Sequence, residues 1–322
     1  MTLAAGLIVA IRLAPMRLVF AGTPAVAADT LAYLLAHTNH TVVAVVTRPD
    51  AARGRSKQLV PSPVAQLAAA HGIEVLRPVR PSEPAFADRL AEIAPDACPV
   101  VAYGALVPAP VLAIPRHGWI NVHYSLLPRW RGAAPVQRAI LAGDSTTGVS
   151  VFRLVAAMDA GPLFATERTA IGESETAGEL LGRLTTTGAR LLSTVLYQLA
   201  SGTAQLTDQT EDEITPAPKL GPQDARLDWT RPAGELARVV RACNPSPMAW
   251  TEVAGERLRV LLAQPAPDTG LEPGQVAATK HEARVGTGQG DLILLQVQPH
   301  GRKPMPAADW ARGLHGALVP LR

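Results

Sequence analysis

MRLVFAGTPAVAADTLAYLLAHTNHTVVAVVT, residues 16–47, decides how the rest of the chain is read. Met16–Ala21 is apolar apart from Arg17, and Gly22-Thr23-Pro24 then turns the chain, because Gly and Pro are the strongest local breakers of regular structure. Ala25–Ala36 has the alanine- and leucine-rich composition of a helix. Thr41–Thr47 is a nearly continuous β-branched run without polar alternation, the pattern of a strand covered on both faces of a parallel sheet. The opening therefore reads strand, turn, helix, strand.

Working outward, the alternation continues. Ser62-Pro63 predicts a helix start, as N-cap and first-turn proline, and Gly72 its end. Ile73–Leu76, Val100–Tyr103 and Trp119–His123 read as further strands, with helices at Pro84–Ala94 and Ala133–Ala142 between them. Thr176–Ala200 is a long amphipathic helix that completes the domain. Such alternation predicts an α/β fold with an open, mostly parallel sheet. Upstream, residues 1–15 have no basic residue ahead of their apolar stretch and no small-residue cleavage site, which argues against a secretory signal. Met16 is expected to be the working start, with residues 1–15 an extension.

Downstream, TAQLTDQTEDEITPAPKLGP (203–222) turns acidic and then rich in Pro and Gly, and residues 205–222 read as a linker. Beyond it lie a helix at Ala233–Ala242 and short strands at Glu256–Leu262, Gln275–Ala278, Ala283–Gly286 and Leu292–Val297. Short strands at that spacing suggest a small antiparallel barrel or sandwich. The expected organisation is a first domain at 16–204 and a second, smaller one at 223–322. A length of 322 residues fits two domains of roughly 150 residues each.

Composition narrows the classes. Apolar residues at 48% supply buried cores, and 18% charged is too low for a disordered chain. Two cysteines, Cys98 and Cys243, make neither a disulfide framework nor a four-ligand zinc site, and no His and carboxylate spacing suggests another metal. The longest uncharged run, Ala97–Pro115, is broken by Pro99, Gly104, Pro108 and Pro110 and is no membrane span. A net charge of +3 permits an anionic partner without requiring one. Gly22-Thr23-Pro24 lacks the three-glycine spacing of a dinucleotide turn. A reducing, cytoplasmic setting with no membrane contact is the expectation.

The chemistry concentrates between Asn121 and Asp159. Period-two alternation points Asn121 and His123 to one face of their strand and Val122 to the other. Ligands of open α/β sheets bind beyond the carboxyl ends of strands, where this pair lies. Ser125-Leu126-Leu127-Pro128 is a turn mixing a polar anchor with apolar wall. Asp159, in a loop after the strand Gly148–Phe152, can return to the same sheet edge. Asn121 can then donate to an oxyanion, His123 can exchange a proton with a nitrogen, and Asp159 can orient the imidazole. Singly, a strand-end His or an Asp ahead of Gly has an ordinary structural explanation; the trio suits acyl transfer to an amine. Arg48, Arg53, Arg55 and Lys57 form a cationic stretch able to track phosphates, with Arg55 and Lys57 the named candidates. Trp229, Trp250 and Trp310 are expected in cores rather than stacked on bases.

Residues 118–137, GWINVHYSLLPRWRGAAPVQ, resemble the signature segment of folate-dependent formyltransferases. The likeness extends from Met16 through Pro49-Asp50, Val60–Pro63, Val101–Gly104 and Met158–Gly161, then to Ala225–Trp229, Arg241–Pro245 and Pro247–Trp250. It implies a Rossmann-like first domain carrying the catalysis and a C-terminal β-barrel, OB-like, that helps hold tRNA. It implies transfer of a formyl group from 10-formyltetrahydrofolate, the co-substrate, to the α-amine of methionyl initiator tRNA. The family's catalytic Asn, His and Asp fall on Asn121, His123 and Asp159, and its folate-contacting turn on Ser125–Pro128. The arginine matching Arg55 belongs to a loop that grips the acceptor stem. No metal and no obligate protein partner are implied. The alternatives are a formyltransferase acting on a nucleotide-linked amino sugar or a purine-pathway amine, and a catalytically silent folate or tRNA binder. Tyr124 stands where the family usually has a small residue, Cys98-Pro99 interrupts an aliphatic strand, and no arginine follows Pro49-Asp50.

Overall fold

A computed structural model describes residues 14–52, 58–313 and 320–321. The chain divides into two compact units, each built from three stretches. The first comprises Met1–His123, Ser150–Thr166 and Thr185–Gln209, and the second Tyr124–Val149, Glu167–Leu184 and Thr210–Arg322. The elements begin with β1 (Arg17–Gly22), α1 (Ala25–His37), β2 (Thr41–Val46) and the two-residue strands β3 (Ala51–Ala52) and β4 (Leu59–Val60). They continue through α2 (Pro63–Ala70), β5 (Glu74–Leu76), α3 (Pro84–Ile93), β6 (Cys98–Val101), α4 (Ala109–Leu112) and β7 (Trp119–His123). Then come α5 (Pro135–Ala142), β8 (Thr146–Arg153), β9 (Leu163–Ala170) and α6 (Ala177–Ser201).

The strands form a seven-stranded, Rossmann-like mixed sheet in the order β5-β2-β1-β6-β7-β8-β9. Pairing is parallel from β5 to β7, and β8 runs antiparallel to β7. All of β1 after Arg17 is buried, and β2 is buried over most of its length, as two-sided apolar runs require. At the carboxyl end of β1 only glycine fits. A Cβ on Gly22 would stand 2.6 Å from the Ala27 Cβ and 2.9 Å from the Val101 carbonyl oxygen. The core of this unit sets Val19, Ala21, Val100 and Trp119 against Phe86 and Leu90 of α3. The Trp119 indole N–H donates to the Val111 carbonyl at 2.9 Å.

β6 corrects the expectation that placed a strand at Val100–Tyr103. It runs from Cys98 to Val101 and stops where Ala102 adopts φ +45°. Pro99 sits inside it, opposite Ile120 of β7. Cys98 N–H donates to Gly118 O at 3.0 Å, so the donor that Pro99 lacks belongs to the β1 side. The proline removes one ladder bond there rather than ending the strand.

The second unit adds α7 (Ala233–Cys243), β10 (Ala249–Val253), β11 (Glu256–Ala266) and β12 (Val276–Ala278). It ends with β13 (Ala283–Gly286), β14 (Asp291–Pro299), β15 (Met305–Pro306) and α8 (Ala307–Arg312). Its sheet is antiparallel, in the order β10-β11-β14-β13-β12 with β15 on β14. Leu236, Val239, Val240 and Cys243 of α7 recur at helical spacing and are buried. The helix packs on β11 and on α5. Full burial of a side chain such as Val240 contributes about 1.5–3 kcal/mol. Trp229, Trp250 and Trp310 are core residues as expected. Among the described residues no helix is long and apolar enough to cross a membrane.

Candidate active site

Asn121, Val122 and His123 are the last three residues of β7. Antiparallel pairing sets Asn121 opposite Phe152 and His123 opposite Ser150 of β8. Register thus fixes the face on which Asn121 and His123 lie, because side chains two apart in a strand point the same way. His123 is buried at 5% exposure, while Asn121 is half-buried. The Phe152 ring meets the imidazole edge-on, with centroids 6.4 Å apart and an interplanar angle of 87°. An apolar edge contact of this kind restricts the ring's orientation.

Asp159 arrives from the loop between β8 and β9. Its Oδ2 lies 3.7 Å from His123 Nδ1, with the carboxylate 15% and the imidazole 6% exposed. That separation is an ion-pair contact, longer than a well-formed hydrogen bond, and it is made at Nδ1. The loop is drawn tight at its base, where Arg153 N–H donates to Pro162 O at 2.9 Å. A Cβ on Gly161 would stand 1.8 Å from the Arg153 oxygen, so this position admits glycine alone. Asp159 itself takes φ +49°. Met158 and Val155, on the same loop, are exposed.

The turn Ser125–Pro128 belongs to the second unit. Ser125 is fully buried and its hydroxyl donates to Arg129 O at 2.6 Å. Leu127 is buried and Leu126 and Pro128 are half-buried, with a cis bond joining Leu127 to Pro128. Leu126 lies against Gly148, where an added Cβ would come within 2.5 Å of its Cδ2. Tyr124 is buried at 8% exposure.

Two features here were not visible in the sequence. The first is a bracket beyond the turn: Arg129 Nη2 contacts both Asp144 carboxylate oxygens at 2.9 and 3.0 Å, and the Trp130 indole donates to the same carboxylate at 2.8 Å. One guanidinium nitrogen bridging both carboxylate oxygens, with the indole N–H on the same carboxylate, ties the residues after the turn to Asp144 by charge-assisted hydrogen bonds. The second is Gln209, whose Nε2 donates to the carbonyls of Asp159 and Gly161, each at 2.8 Å. The candidate tRNA contacts Arg55 and Lys57 lie outside the described residues. Arg48, at the other end of that basic stretch, donates from Nη1 to Val79 O at 2.9 Å.

Comparison with known proteins assigns the class and then the family. Residues 16–196 match the family model described as formyl transferase, and residues 219–315 match that described as formyl transferase, C-terminal domain. A one-carbon transferase is therefore the class that this fold and site define. The methionyl-tRNA formyltransferase of Streptomyces coelicolor is 52% identical over 299 residues, covering 92% of this chain and 96% of that one. The methionyl-tRNA formyltransferase of Thermobifida fusca is 54% identical over the same coverage. The chain belongs to the methionyl-tRNA formyltransferase family. The same fold occurs in more distant proteins. An N-formyltransferase from Helicobacter canadensis, in complex with folinic acid and dTDP-3-aminofucose, superimposes with a TM-score of 0.66 at 16% identity, covering 88% of this chain and 100% of that one. HypX from Aquifex aeolicus in complex with tetrahydrofolic acid gives 0.63 at 18% identity, covering 95% of this chain and 48% of that one.

Proposed function

We propose that this enzyme transfers the formyl group of 10-formyltetrahydrofolate to the α-amine of methionyl initiator tRNA, in the cytoplasm, for translation initiation. The observation that carries the catalytic reading is the approach of Asp159 to within 3.7 Å of His123, across 36 residues of sequence, on the strand that also presents Asn121. The turn Ser125–Pro128 contacts the folate. With the Ser125 hydroxyl tied internally, the half-buried Leu126 and Pro128 offer it an apolar wall. When bound, the folate supplies the formyl carbon and a nitrogen leaving group.

The protein's own part is then electrostatic and positional. Asn121 donates its amide N–H to the formyl oxygen as the amine adds and that oxygen gains charge, and losing one such donor typically costs about 10²–10³ in rate. His123 takes up the attacking nitrogen's proton on Nε2 and, as the imidazolium so formed, faces that oxygen. Asp159 faces Nδ1 and holds the ring in that orientation; full charges near 4 Å attract by about 4 kcal/mol at an effective dielectric of 20. The proton lost by the attacking nitrogen returns to the departing folate nitrogen as the carbon–nitrogen bond breaks, with His123 as carrier. Arg55 and Lys57 bind tRNA phosphates, and residues 223–322 help hold the tRNA.

The test compares formyl transfer from 10-formyltetrahydrofolate to methionyl initiator tRNA, methionyl elongator tRNA and a nucleotide-linked amino sugar. Formylation of the initiator tRNA alone is the expected outcome, and transfer to the sugar alone would keep the chemistry and discard the tRNA. His123→Ala is expected to lower the chemical step far more than folate affinity, and near-normal turnover removes His123 from the mechanism. Arg55→Ala is expected to weaken tRNA binding and flatten its salt dependence; an unchanged affinity across a salt series removes the loop from the interface.

A further inference from the structure

Asp159 reaches His123 from a loop without regular structure, and three observations bear on how the carboxylate is kept there. Its backbone sits at φ +49°, in the left-handed region that few L-residues adopt and that Asp tolerates better than most. Two residues on, Gly161 admits no side chain because of the Arg153 carbonyl. The backbone carbonyls of Asp159 and Gly161 both accept from the carboxamide of Gln209, at 2.8 Å each.

A primary amide has two N–H donors, and Gln209 commits both to this loop. The amide's orientation follows, since the reverse flip would set its oxygen against two carbonyl oxygens. Gln209 is in turn held in place from its own side of the chain. Thr207, two residues before it, exchanges both backbone hydrogen bonds with Leu163, at 2.8 and 2.9 Å. The segment 207–209 therefore runs beside the first residue of β9, and the carboxamide holds the Asp159 carbonyl, which belongs to the peptide unit following the Asp159 Cα, together with the Gly161 carbonyl two residues on.

We infer that Gln209 is a positioning residue for formyl transfer: its carboxamide fixes the backbone rotation at Asp159 and, through it, the placement of the carboxylate against His123. The inference rests on Asp159 being the working partner of His123. A misplacement on the order of 1 Å in a catalytic constellation costs about 100-fold in rate, which sets the scale of the effect. A staple that serves only to close the loop would instead lower the melting temperature and leave the chemistry of the folded enzyme unchanged.

The experiment measures kcat, KM for both substrates and the pH dependence of kcat in Gln209→Ala, Gln209→Glu, Asp159→Ala and the double variant Gln209→Ala/Asp159→Ala. Gln209→Glu keeps the size and removes the donors at neutral pH, so it answers the question even where Gln209→Ala folds poorly. The expected result is a fall in kcat of about 10- to 100-fold in both Gln209 variants, KM within about twofold, and a displaced limb of the pH profile. In the Asp159→Ala background the Gln209 change is expected to add nothing, as for residues that act through one another. Loss of activity in Asp159→Ala with a wild-type kcat and pH profile in both Gln209 variants overturns the role of Gln209 alone. Multiplicative losses in the double variant overturn it too. Full activity in Asp159→Ala overturns the His123–Asp159 reading itself, and the positioning role with it.

Discussion

His40 is buried at 7% exposure, and Met16 N–H donates to its Nδ1 at 3.2 Å. That bond fixes the tautomer: Nδ1 accepts, so the proton of the neutral ring is on Nε2, a buried atom that meets no hydrogen-bond partner among the described residues. Charging the ring would break the Met16 bond and place a full charge where little polar compensation exists. Burial accordingly holds the His40 pKa below the ordinary value, against the opposing pull of Asp96. The unfolded chain takes up the His40 proton as pH falls through about 6.5, whereas the folded chain takes it up only at lower pH. Stability from this group is therefore complete above about pH 6.5 and is lost as pH falls toward the folded value, by at most about 1.4 kcal/mol per pH unit. His40→Gln retains an acceptor for Met16 N–H and cannot titrate. Thermal melts at about pH 7.5 and about pH 5 are expected to show a smaller fall in Tm for the variant than for the parent; equal falls would locate the acid sensitivity elsewhere.

Whole elements follow the same local logic where their signals are adjacent in sequence. The helix α2 starts as Ser62-Pro63 predicts. The Ser62 Oγ accepts from Ala65 N–H at 3.0 Å and also meets the Thr47 hydroxyl at 2.7 Å, at the end of β2. One side chain thus caps a helix and satisfies a fully buried hydroxyl. Ser62→Ala removes the cap, worth about 1 kcal/mol, and takes a partner from Thr47, which raises the total to roughly 2–3 kcal/mol. Urea unfolding measures it, and a loss below about 0.5 kcal/mol would mean that neither bond matters. The strands β1, β2, β5 and β7 and the helices α5, α6 and α7 were legible for the same reason, their patterns lying within one element. β9 was not, because its residues alternate between half-buried and exposed and carry Glu167 and Arg168, so no apolar stripe announces it. Asn121 and His123 were legible as a pair because two residues of a strand share a face. The contacts of Gln209 with Asp159 and Gly161 span 50 and 48 residues. Nothing within an acidic stretch marks one amide as the partner of a distant loop.

At the scale of the molecule, the two cysteines divide between the two units. Cys98 lies in β6 within the core of the first, and Cys243 at the end of α7 within the core of the second. Burial pushes the Cys98 thiol well above its ordinary pKa, and it pushes Cys243 up to about 12, with Asp224 adding to the effect. The thiolate is the reactive form, so both thiols are doubly protected at neutral pH, by enclosure and by protonation. A thiol reagent is therefore expected to leave the native enzyme unlabelled over the time in which an unfolded control reacts completely. Under rising urea each cysteine becomes a reporter for the opening of its own core, since regions of a protein open with separate free energies unless coupling makes them one. The two core clusters have no residue in common, and two labelling midpoints are expected when the Cys98 and Cys243 peptides are quantified separately by mass spectrometry. A single shared midpoint would show instead that the chain unfolds as one two-state unit, with the six interleaved stretches of the two units acting as the cooperative link.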